Sequence, residues 1–228
     1  MNKQTGFTLI ELMIASLLGL IVVSATIAMY VGTVRASTDT LNSVHLNHDL
    51  DAVLSLITND LKRAGYWGGA VIGADSLNNP FTLDTANIQA PAASCILYSY
   101  DADGDGVVDA DEFYGFRLNG SNIDIRLSGT TTADCADGTW SAMTTEGTVN
   151  VTALTFATTY KCLNVTTTLS YNTPCADVTA GNLATGEKAV ESRRIDIALT
   201  GQLVNDTTVT KTLTDTIKVR ADRVFIQP

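Results

Sequence analysis

A long apolar segment near the N-terminus limits the fold of this chain more than any other feature. It extends from Phe7 to Val34, and Glu11 is the only charged residue in it. A helix needs about 20 apolar residues to cross a bilayer, so this segment is long enough to span one. A polar leader, residues 1–6, precedes it and ends in Gly6. A cut after the leader would leave the apolar segment on the mature protein, whereas a secretory signal peptide is removed together with its apolar region.

The residues that follow the leader match a known motif. The N-termini of type IV prepilins and type II secretion pseudopilins resemble residues 6–13, G-F-T-L-I-E-L-M. The resemblance implies that a prepilin peptidase cuts after Gly6 and that Phe7 becomes the N-methylated first residue. It also implies that Glu11 pairs with the N-terminal amine of a neighbouring subunit during assembly. An acid inside a membrane helix costs about 2.5 kcal/mol or more, so we expect Glu11 to have a function; the alternative is an ordinary single-span anchor.

The helical pattern continues beyond the membrane-spanning segment. No proline lies between Phe7 and Ala64, and Gly65 is typical of a helix C-cap. Apolar residues also recur at the spacing of one helix face. They are Leu50, Val53, Leu54, Ile57, Leu61 and Ala64. The sequence therefore predicts an N-terminal helix over residues 7–65, with a transmembrane segment at about residues 7–34.

Residues 66–228 have the pattern of a β-rich head domain. Apolar and polar residues alternate in residues 123–127, 195–199 and 217–219, as is typical of half-buried strands, and residues 148–160 are a further strand candidate. A helix followed by antiparallel strands belongs to the α+β class. The resemblance implies the type IV pilin form of that class, in which a long N-terminal helix with a membrane-spanning first half packs on an antiparallel β-sheet head.

A second segment makes the resemblance to a particular group of pilins more specific. Residues 60–69, DLKRAGYWGG, are similar to the D-x-R-x-A-G-aromatic-G segment of PilW-type minor pilins. The C-terminal residues 192–199 and 217–220 are also similar to that family. A cysteine often ends the first segment there, whereas Gly69 stands in this chain, so any disulfide tied to that position is missing. The alternative interpretation of this segment is a general helix stop.

The head domain contains four cysteines, and an even number beyond a membrane span predicts two disulfides in an oxidising compartment. They are Cys95, Cys135, Cys162 and Cys175. Three pairings are possible, and proximity in the sequence favours Cys95–Cys135 and Cys162–Cys175. Buried free thiols are the alternative. Zinc is not expected, because no two of these cysteines have the C-x-x-C spacing.

The sequence DADGDGVVDADE, residues 101–112, matches the twelve-residue calcium loop at its diagnostic positions. The candidate ligands are the carboxylates of Asp101, Asp103, Asp105, Asp109 and Glu112 and the carbonyl of Val107. Without a cation, acids this close together would repel one another. The flanking residues favour strands instead of the helices of an EF-hand. We therefore expect a structural Ca²⁺ clamp between β-elements; the alternative is an acidic turn without a metal.

The composition argues against several other functions. A formal net charge of −10 disfavours binding to phosphate backbones, so no nucleic-acid partner is expected. The only histidines, His45 and His48, lie on the predicted helix, where solvated or packing roles are expected. Because the head has no histidine, it lacks the residues of a Ser/His/Asp or Cys/His catalytic site. We expect no enzymatic activity.

The resemblance implies a PilW-like minor pilin that helps to initiate a type IV pilus in a priming or tip complex and is incorporated into it. The implied partners are other minor pilins and the major pilin, bound through the N-terminal helix, the prepilin peptidase, the inner-membrane assembly platform and, as a further candidate, a large tip adhesin. The implied location is the inner membrane of a Gram-negative bacterium, with a periplasmic head, and then the pilus at the cell surface.

Two other functions are open at this point. A J-like pseudopilin of a type II secretion system has the same N-terminal signal and a similar head size. A pilus-associated adhesin would bind its receptor through exposed aromatic residues near the calcium-type loop. The candidates are Tyr98, Tyr100, Phe113 and Tyr114. Packing in a strand core is the simpler role for these four residues.

Overall fold

The structure, a computed structural model, describes most of the chain. The described residues are 6–68, 76–144, 149–179 and 181–228. Residues 1–5 of the predicted leader and Gly69 of the helix-end segment lie outside them. The chain divides into two compact units, Met1–His45 and Leu46–Pro228, and each is described by itself.

The first unit contains the beginning of helix α1, which extends from Leu9 to Leu61. The most apolar 18-residue window of this helix has a mean hydropathy of 2.4, and none of that window is buried. By length and composition the helix can cross a membrane. An exposed apolar surface of this extent is stable only when lipid or other apolar helices cover it.

The end of α1 is set by a glycine. Residues 62–65 form a turn, and the Gly65 amide donates a hydrogen bond to the Ser99 carbonyl at 2.8 Å instead of continuing the helix. Gly65 has a φ of +73°, a left-handed conformation that glycine adopts most readily. A Cβ atom there would lie 2.9 Å from Cγ2 of Thr82. The C-cap predicted at Gly65 is therefore present.

In the second unit, Leu46–Pro228, the last turns of α1 supply one side of the hydrophobic core. The buried residues of the helix are Leu46, Leu50, Leu54, Ile57, Thr58 and Leu61. Apart from Thr58 they recur every three or four residues, as one face of an amphipathic helix requires, and Val53 packs partly buried against the same core. Each fully buried leucine or isoleucine contributes about 1.5–3 kcal/mol. The predicted α+β class, with a helix packed on antiparallel strands, is confirmed.

The strands form two antiparallel sheets. They are β1 Gln89–Ala92, β2 Cys95–Ser99, β3 Phe113–Asn119, β4 Asn122–Ser128, β5 Thr139–Ala142, β6 Val149–Asn164, β7 Ser170–Tyr171, β8 Lys188–Leu203, β9 Thr210–Lys218 and β10 Arg223–Ile226. Sheet A has the order β1-β2-β3-β4-β5, and sheet B has the order β10-β8-β6-β7, with β9 also paired to β8. Short 3-10 helices occupy Ser76–Asn78, Pro80–Thr82, Asp84–Ala86, Ala110–Glu112 and Cys175–Asp177.

Sheet B is long and regular. Its central strands β6 and β8 have 16 residues each and pair along their length with one register shift, between Val151 and Ala153. Alternate residues of β8 enter the core, among them Ile195, Ile197 and Leu199. Because successive side chains of a strand point to opposite faces, the residues between them lie on the outer face of the sheet.

Sheet A departs from the alternation that the sequence predicts for β4. Ile123 is fully buried and Leu127 is 51 % exposed, whereas the side chain between them, Arg126, is fully buried. The cause is the loop of residues 129–138, which covers the side of β4 that was expected to face water. The guanidinium of Arg126 bonds to Asp137 in this loop. The alternating pattern located the strand correctly but assigned its second face wrongly to solvent.

Candidate functional site

The N-terminus of α1 holds the residues predicted for processing and assembly. Phe7 is 89 % exposed. The carboxylate of Glu11 accepts hydrogen bonds at Oε2 from the Thr8 amide at 2.9 Å and from the Thr8 hydroxyl at 2.7 Å. In return, the Glu11 amide donates to the Thr8 hydroxyl at 3.4 Å. This reciprocal arrangement is a capping box, which stabilises the start of a helix.

The capping box leaves one oxygen of Glu11 accessible. Among the described residues, Oε1 has no hydrogen-bond partner. A carboxylate accepts hydrogen bonds at both oxygens, so Glu11 can cap its own helix and still receive a donor from another chain. Gly6, Phe7 and Glu11 lie close together along one exposed segment. The geometry is compatible with the roles that the motif predicts for these three residues.

The calcium-type loop connects β2 to β3 in sheet A. As expected from its flanking residues, it lies between strands rather than between helices. Three of the predicted ligands come together: carboxylate oxygens of Asp101, Asp103 and Asp105 lie within 4.8 Å of one another. Asp101 is almost fully buried, whereas Asp103 and Asp105 are exposed. The loop therefore presents a cluster of hard oxygen atoms that is open to solvent on one side.

Backbone amides hold Asp101 in place. Its Oδ1 accepts from Gly104 at 2.7 Å, and its Oδ2 accepts from Gly106 at 3.1 Å and from Gly68 at 2.9 Å. Gly104 and Gly106 have φ values of +85° and +82°, which glycine tolerates without strain. These bonds fold the loop tightly around the Asp101 side chain.

The next two aspartates stabilise local turns. Asp103 accepts from the Asp105 amide at 3.1 Å, and Asp105 accepts from the Val107 amide at 2.8 Å. Both are Asx turns, in which the side chain bonds to the backbone two residues on. Among the residues that the structure describes, the second carboxylate oxygen of each of these aspartates has no hydrogen-bond partner. A hard divalent cation prefers oxygens of this kind.

The last two predicted ligands lie outside this three-carboxylate cluster. Glu112 is buried, and its two oxygens accept from the Ala102 amide at 2.7 Å and the Asp109 amide at 3.1 Å. Asp109 begins the 3-10 helix Ala110–Glu112, in which Glu112 completes a capping box. Glu112 thus links the first and last thirds of the loop. The structure brings together Asp101, Asp103 and Asp105, and leaves Asp109 and Glu112 as capping residues beside them.

The helix-end segment packs directly on this loop. The Asp101 amide donates to the Tyr66 carbonyl at 2.9 Å, next to the bond from Gly68 to the Asp101 carboxylate. A Cβ atom at Gly68 would lie 3.2 Å from the Cα of Gly104, so only a small residue fits. The segment similar to PilW-type pilins is thus more than a helix stop: residues 65–68 join the end of α1 to the candidate metal loop.

A buried polar cluster near the loop was not anticipated from the sequence. The hydroxyl of Tyr98 donates to Asp60 on α1, and Tyr100 reaches the same carboxylate at 3.5 Å. Arg63 lies 4.0 Å above the Tyr100 ring, at cation–π distance. Burial and the adjacent Asp60 carboxylate raise the pKa of Tyr98 well above its usual range. Since Asp60 and Tyr98 are far apart in the sequence, no local pattern connects them.

The aromatic residues considered for receptor binding are mostly core residues. Tyr98, Tyr100 and Phe113 are each at most 5 % exposed, and Tyr114 is partly buried, stacked 4.2 Å from Tyr100. Little of their ring surface is available to a ligand. This arrangement favours the simpler packing role for the four residues.

The structure contains both disulfides favoured on sequence proximity. Cys95 of β2 is bonded to Cys135 in the loop 129–138, and Cys162 of β6 is bonded to Cys175. Neither leaves a free thiol for redox chemistry or metal binding. The first disulfide attaches the covering loop to sheet A, and the second attaches the 3-10 helix Cys175–Asp177 to sheet B.

Comparison with known proteins agrees with these features. Residues 1–27 match the prokaryotic N-terminal methylation motif, and no curated protein or solved structure matches the chain. The motif, the exposed apolar helix and the α+β head are together the features of a type IV pilin-like protein. Residues 39–219, most of the chain, match the family of prepilin peptidase-dependent protein B. The chain therefore belongs to the prepilin peptidase-dependent protein B family.

Proposed function

We propose that this chain is a PilW-like minor pilin that helps to initiate a type IV pilus and is then incorporated into it. The observation that carries this proposal is the methylation motif on an apolar helix with no buried side chain in its membrane-crossing window. Such a helix can be held in a bilayer and then transferred to a bundle of similar helices, because both environments cover apolar surface.

Cleavage after Gly6 would create a new amine at Phe7. In the precursor this amine is part of a peptide bond and carries no charge. After cleavage it becomes a cation that a carboxylate can bind inside an apolar bundle, where an unpaired charge is costly. The Oε1 atom of Glu11 is accessible for such a donor from a neighbouring subunit. Processing would thus switch on the pairing that fixes the position of one subunit against the next.

The proposed location and partners follow from that mechanism. The helix would anchor the protein in the inner membrane of a Gram-negative bacterium, with the head in the periplasm. The prepilin peptidase, the assembly platform, the major pilin and other minor pilins would be its partners. Both disulfides suit an oxidising compartment such as the periplasm.

We also propose that the loop of residues 101–112 binds a structural Ca²⁺ ion. The cluster of Asp101, Asp103 and Asp105 would supply carboxylate oxygens, Val107 its carbonyl, and Asp109 and Glu112 the remaining predicted ligands. The ion would offset the repulsion among these acids. Because residues 65–68 bond to Asp101, the ion would also stiffen the junction between α1 and sheet A.

The assembly function is tested with a deletion strain complemented by variants. Glu11→Gln keeps the size of the side chain but removes the charge that would bind the amine. We expect sheared surface pili to fall by about tenfold or more, because removing one partner of a buried ion pair leaves the other charge unpaired. The matched control is Asp39→Asn, which removes one exposed carboxylate from the same helix and should leave pilus number unchanged.

The same strains separate pilus assembly from secretion. Secreted-protein profiles are measured beside the sheared pili. Normal pili with defective secretion would contradict the proposal and assign the protein to a type II secretion system as a J-like pseudopilin. Normal pili and normal secretion with reduced adhesion would assign it to the adhesin class.

The metal proposal is tested by thermal unfolding of the full chain in a neutral detergent, with calcium or with chelator. If the loop binds Ca²⁺ with an affinity typical of extracellular sites, about 5 mM Ca²⁺ should raise the free energy of unfolding by about 1–2 kcal/mol. We expect Asp103→Asn with Asp105→Asn to lose most of that gain, because an amide keeps each Asx-turn acceptor but not the charge. Asp134→Asn with Asp215→Asn is the control, since both are exposed and accept backbone amides. Equal calcium effects in the two double variants would contradict the site.

A further inference from the structure

The outer face of sheet B contains a groove whose charge is opposite to that of the whole chain. Its volume is about 540 Å³, and residues of β6, β8, β9 and the segment after β7 line it. Three of the lining side chains are exposed cations, Lys161, Arg194 and Lys218. The chain has 24 acidic and 14 basic residues. A random share of its surface would therefore be acidic, which makes a basic concavity a feature to explain.

Strand register brings the three cations together. Lys218 of β9 is paired directly with Arg194 of β8. Lys161 of β6 is paired with Ser192, two residues from Arg194 on the same face, and so lies diagonal to it. Directly opposite Cβ atoms are about 5 Å apart, and diagonal neighbours about 7–8 Å. Like charges at such positions destabilise a sheet, so an anion bound among them would relieve repulsion.

Neighbouring acids compensate only part of this charge. Lys218 lies 3.2 Å from Asp222. Asp196, on the same face of β8, accepts a hydrogen bond from the Thr216 hydroxyl. Within the described part of the chain, Lys161 and Arg194 form no ion pair. Two cations therefore remain free to bind an external anion.

The neutral lining supplies hydrogen-bonding groups beside the cations. Thr159 is paired with Arg194, and Ser192 with Lys161, so a hydroxyl lies next to each free cation. Asn172, in the segment after β7, adds an amide. Carboxylates accept hydrogen bonds from hydroxyl, amide and cationic donors alike. The groove thus combines charge with the donors that orient a carboxylate.

The charge of the rest of the chain selects for a short anionic ligand. A long polyanion would extend past the groove over acidic surface and be repelled there. A segment with a few carboxylates fits within a cavity of this size and meets only the cations. Its own backbone could also bond to the hydroxyls and the amide of the lining.

We propose that this groove binds an acidic segment of another protein, with two or more carboxylates placed between Arg194 and its two basic neighbours. Arg194 is the central residue, because it is opposite Lys218 and diagonal to Lys161. The groove lies in the second unit, and its ligand does not depend on the role of the N-terminal helix in assembly. The proposal therefore stands or fails independently of the pilin function.

The test measures binding of a fluorescently labelled hexaglutamate peptide to the full chain in a neutral detergent, by fluorescence anisotropy. We expect saturable binding that weakens as ionic strength rises from about 50 to about 200 mM, since salt screens exposed charges. Arg194→Glu and Lys161→Glu should each weaken binding by about tenfold or more, and their combination should abolish it. Arg194→Gln removes the charge without reversing it and should give an intermediate loss.

Lys211→Glu is the matched control, since Lys211 is exposed on β9 but paired with Gly201, away from the groove. It changes the net charge by as much as Arg194→Glu and should alter the affinity by no more than about twofold. Equal losses at Lys211 and Arg194, or no binding by the native chain, would overturn the proposal. So would tighter binding of a sulfated polysaccharide than of the peptide, because the ligand would then be a glycan. Unfolding midpoints of all variants show whether any loss reflects folding.

Discussion

The outer faces of the two sheets are built in different ways. In sheet A, the loop of residues 129–138 covers the face, and a disulfide and buried charged side chains hold it in place. In sheet B, the outer face is bare and is lined mainly by threonines and charged residues. Sheet A therefore depends on contacts with its covering loop, whereas sheet B depends on a long regular ladder of strand pairing.

The difference determines where each sheet is vulnerable. Sheet A has short strands and a register shift between Arg126 and Ser128. Contacts with its covering loop therefore supply stability that short strand pairing does not provide. Arg126 bonds to the carbonyls of Ser128 at 3.1 Å and Thr131 at 2.7 Å and to Asp137. Sheet B obtains its stability from the apolar face of β6 and β8. Substitutions on the bare face of sheet B should therefore be mild, and substitutions beneath the loop severe.

The largest expected effect is loss of the disulfide between Cys95 and Cys135. Its sequence separation is 40 residues, against 13 for the Cys162–Cys175 disulfide. Loop-closure entropy assigns about 4 kcal/mol to the first and about 3 kcal/mol to the second. Paired Cys→Ala variants are compared by urea unfolding of the full chain in detergent. A larger loss for the pair in sheet B would contradict the view that sheet A depends on the attachment of its covering loop.

Removal of a buried guanidinium comes next. Arg126→Ala removes the guanidinium donor from the carbonyls of Ser128 and Thr131 and the buried cation beside Asp137. It should lower the free energy of unfolding by about 3 kcal/mol. Arg194→Ala, on the bare face of sheet B, should change it by less than about 0.5 kcal/mol. The denaturation midpoints at constant slope measure both values. Similar values for the two arginines would remove the distinction between the faces.

The smallest effect concerns acid stability. Hydrogen bonds from the Thr130 and Thr131 amides, together with the Arg126 guanidinium, hold the pKa of Asp137 below its usual range. A carboxyl group whose pKa is lower in the folded state than in the unfolded chain stabilises the fold at pH values above its unfolded pKa. This stability is lost as the pH falls through the lowered pKa. The difference in urea denaturation midpoint between the native chain and Asp137→Asn should therefore become smaller below about pH 4.

Asp206, in the β8–β9 turn of sheet B, provides the matched case. Hydrogen bonds from the Thr208 hydroxyl and amide also lower its pKa, but it is fully exposed and contacts one turn only. We expect Asp206→Asn to give a smaller acid-dependent difference than Asp137→Asn. A larger acid-dependent difference for Asp206→Asn would mean that the covering loop of sheet A adds little to stability at low pH.

Features that depend on neighbouring residues could be predicted from the sequence. The stripe from Leu50 to Leu61 located the helix face that is buried, because helical spacing places those residues together whatever the rest of the chain does. The Asp and Gly positions of residues 101–106 predicted the turns of the calcium-type loop for the same reason. Proximity in the sequence also selected the correct disulfide pairs, Cys95–Cys135 and Cys162–Cys175.

Features that depend on strand register could not be predicted. Nothing near Arg126 in the sequence indicates that it is buried, since its burial requires a loop that folds back across β4. The contact of Asp60 with Tyr98 requires the end of α1 to lie against β2. The basic groove requires Lys161, Arg194 and Lys218 to meet across three strands, and a shift of one residue would move any of them to the other face.

The sequence by itself determined the kind of protein this is: an apolar helix that begins with a methylation motif and contains a lone Glu11, followed by a β-rich head with an acidic loop. These are local patterns, and they can be interpreted without knowing the tertiary structure because they depend only on residues close together in the sequence. Only the tertiary structure decided which charged residues are buried under a loop and which cations converge in a groove. Those outcomes depend on contacts between residues distant in the chain, and the energy of a charged side chain is set by what surrounds it in space.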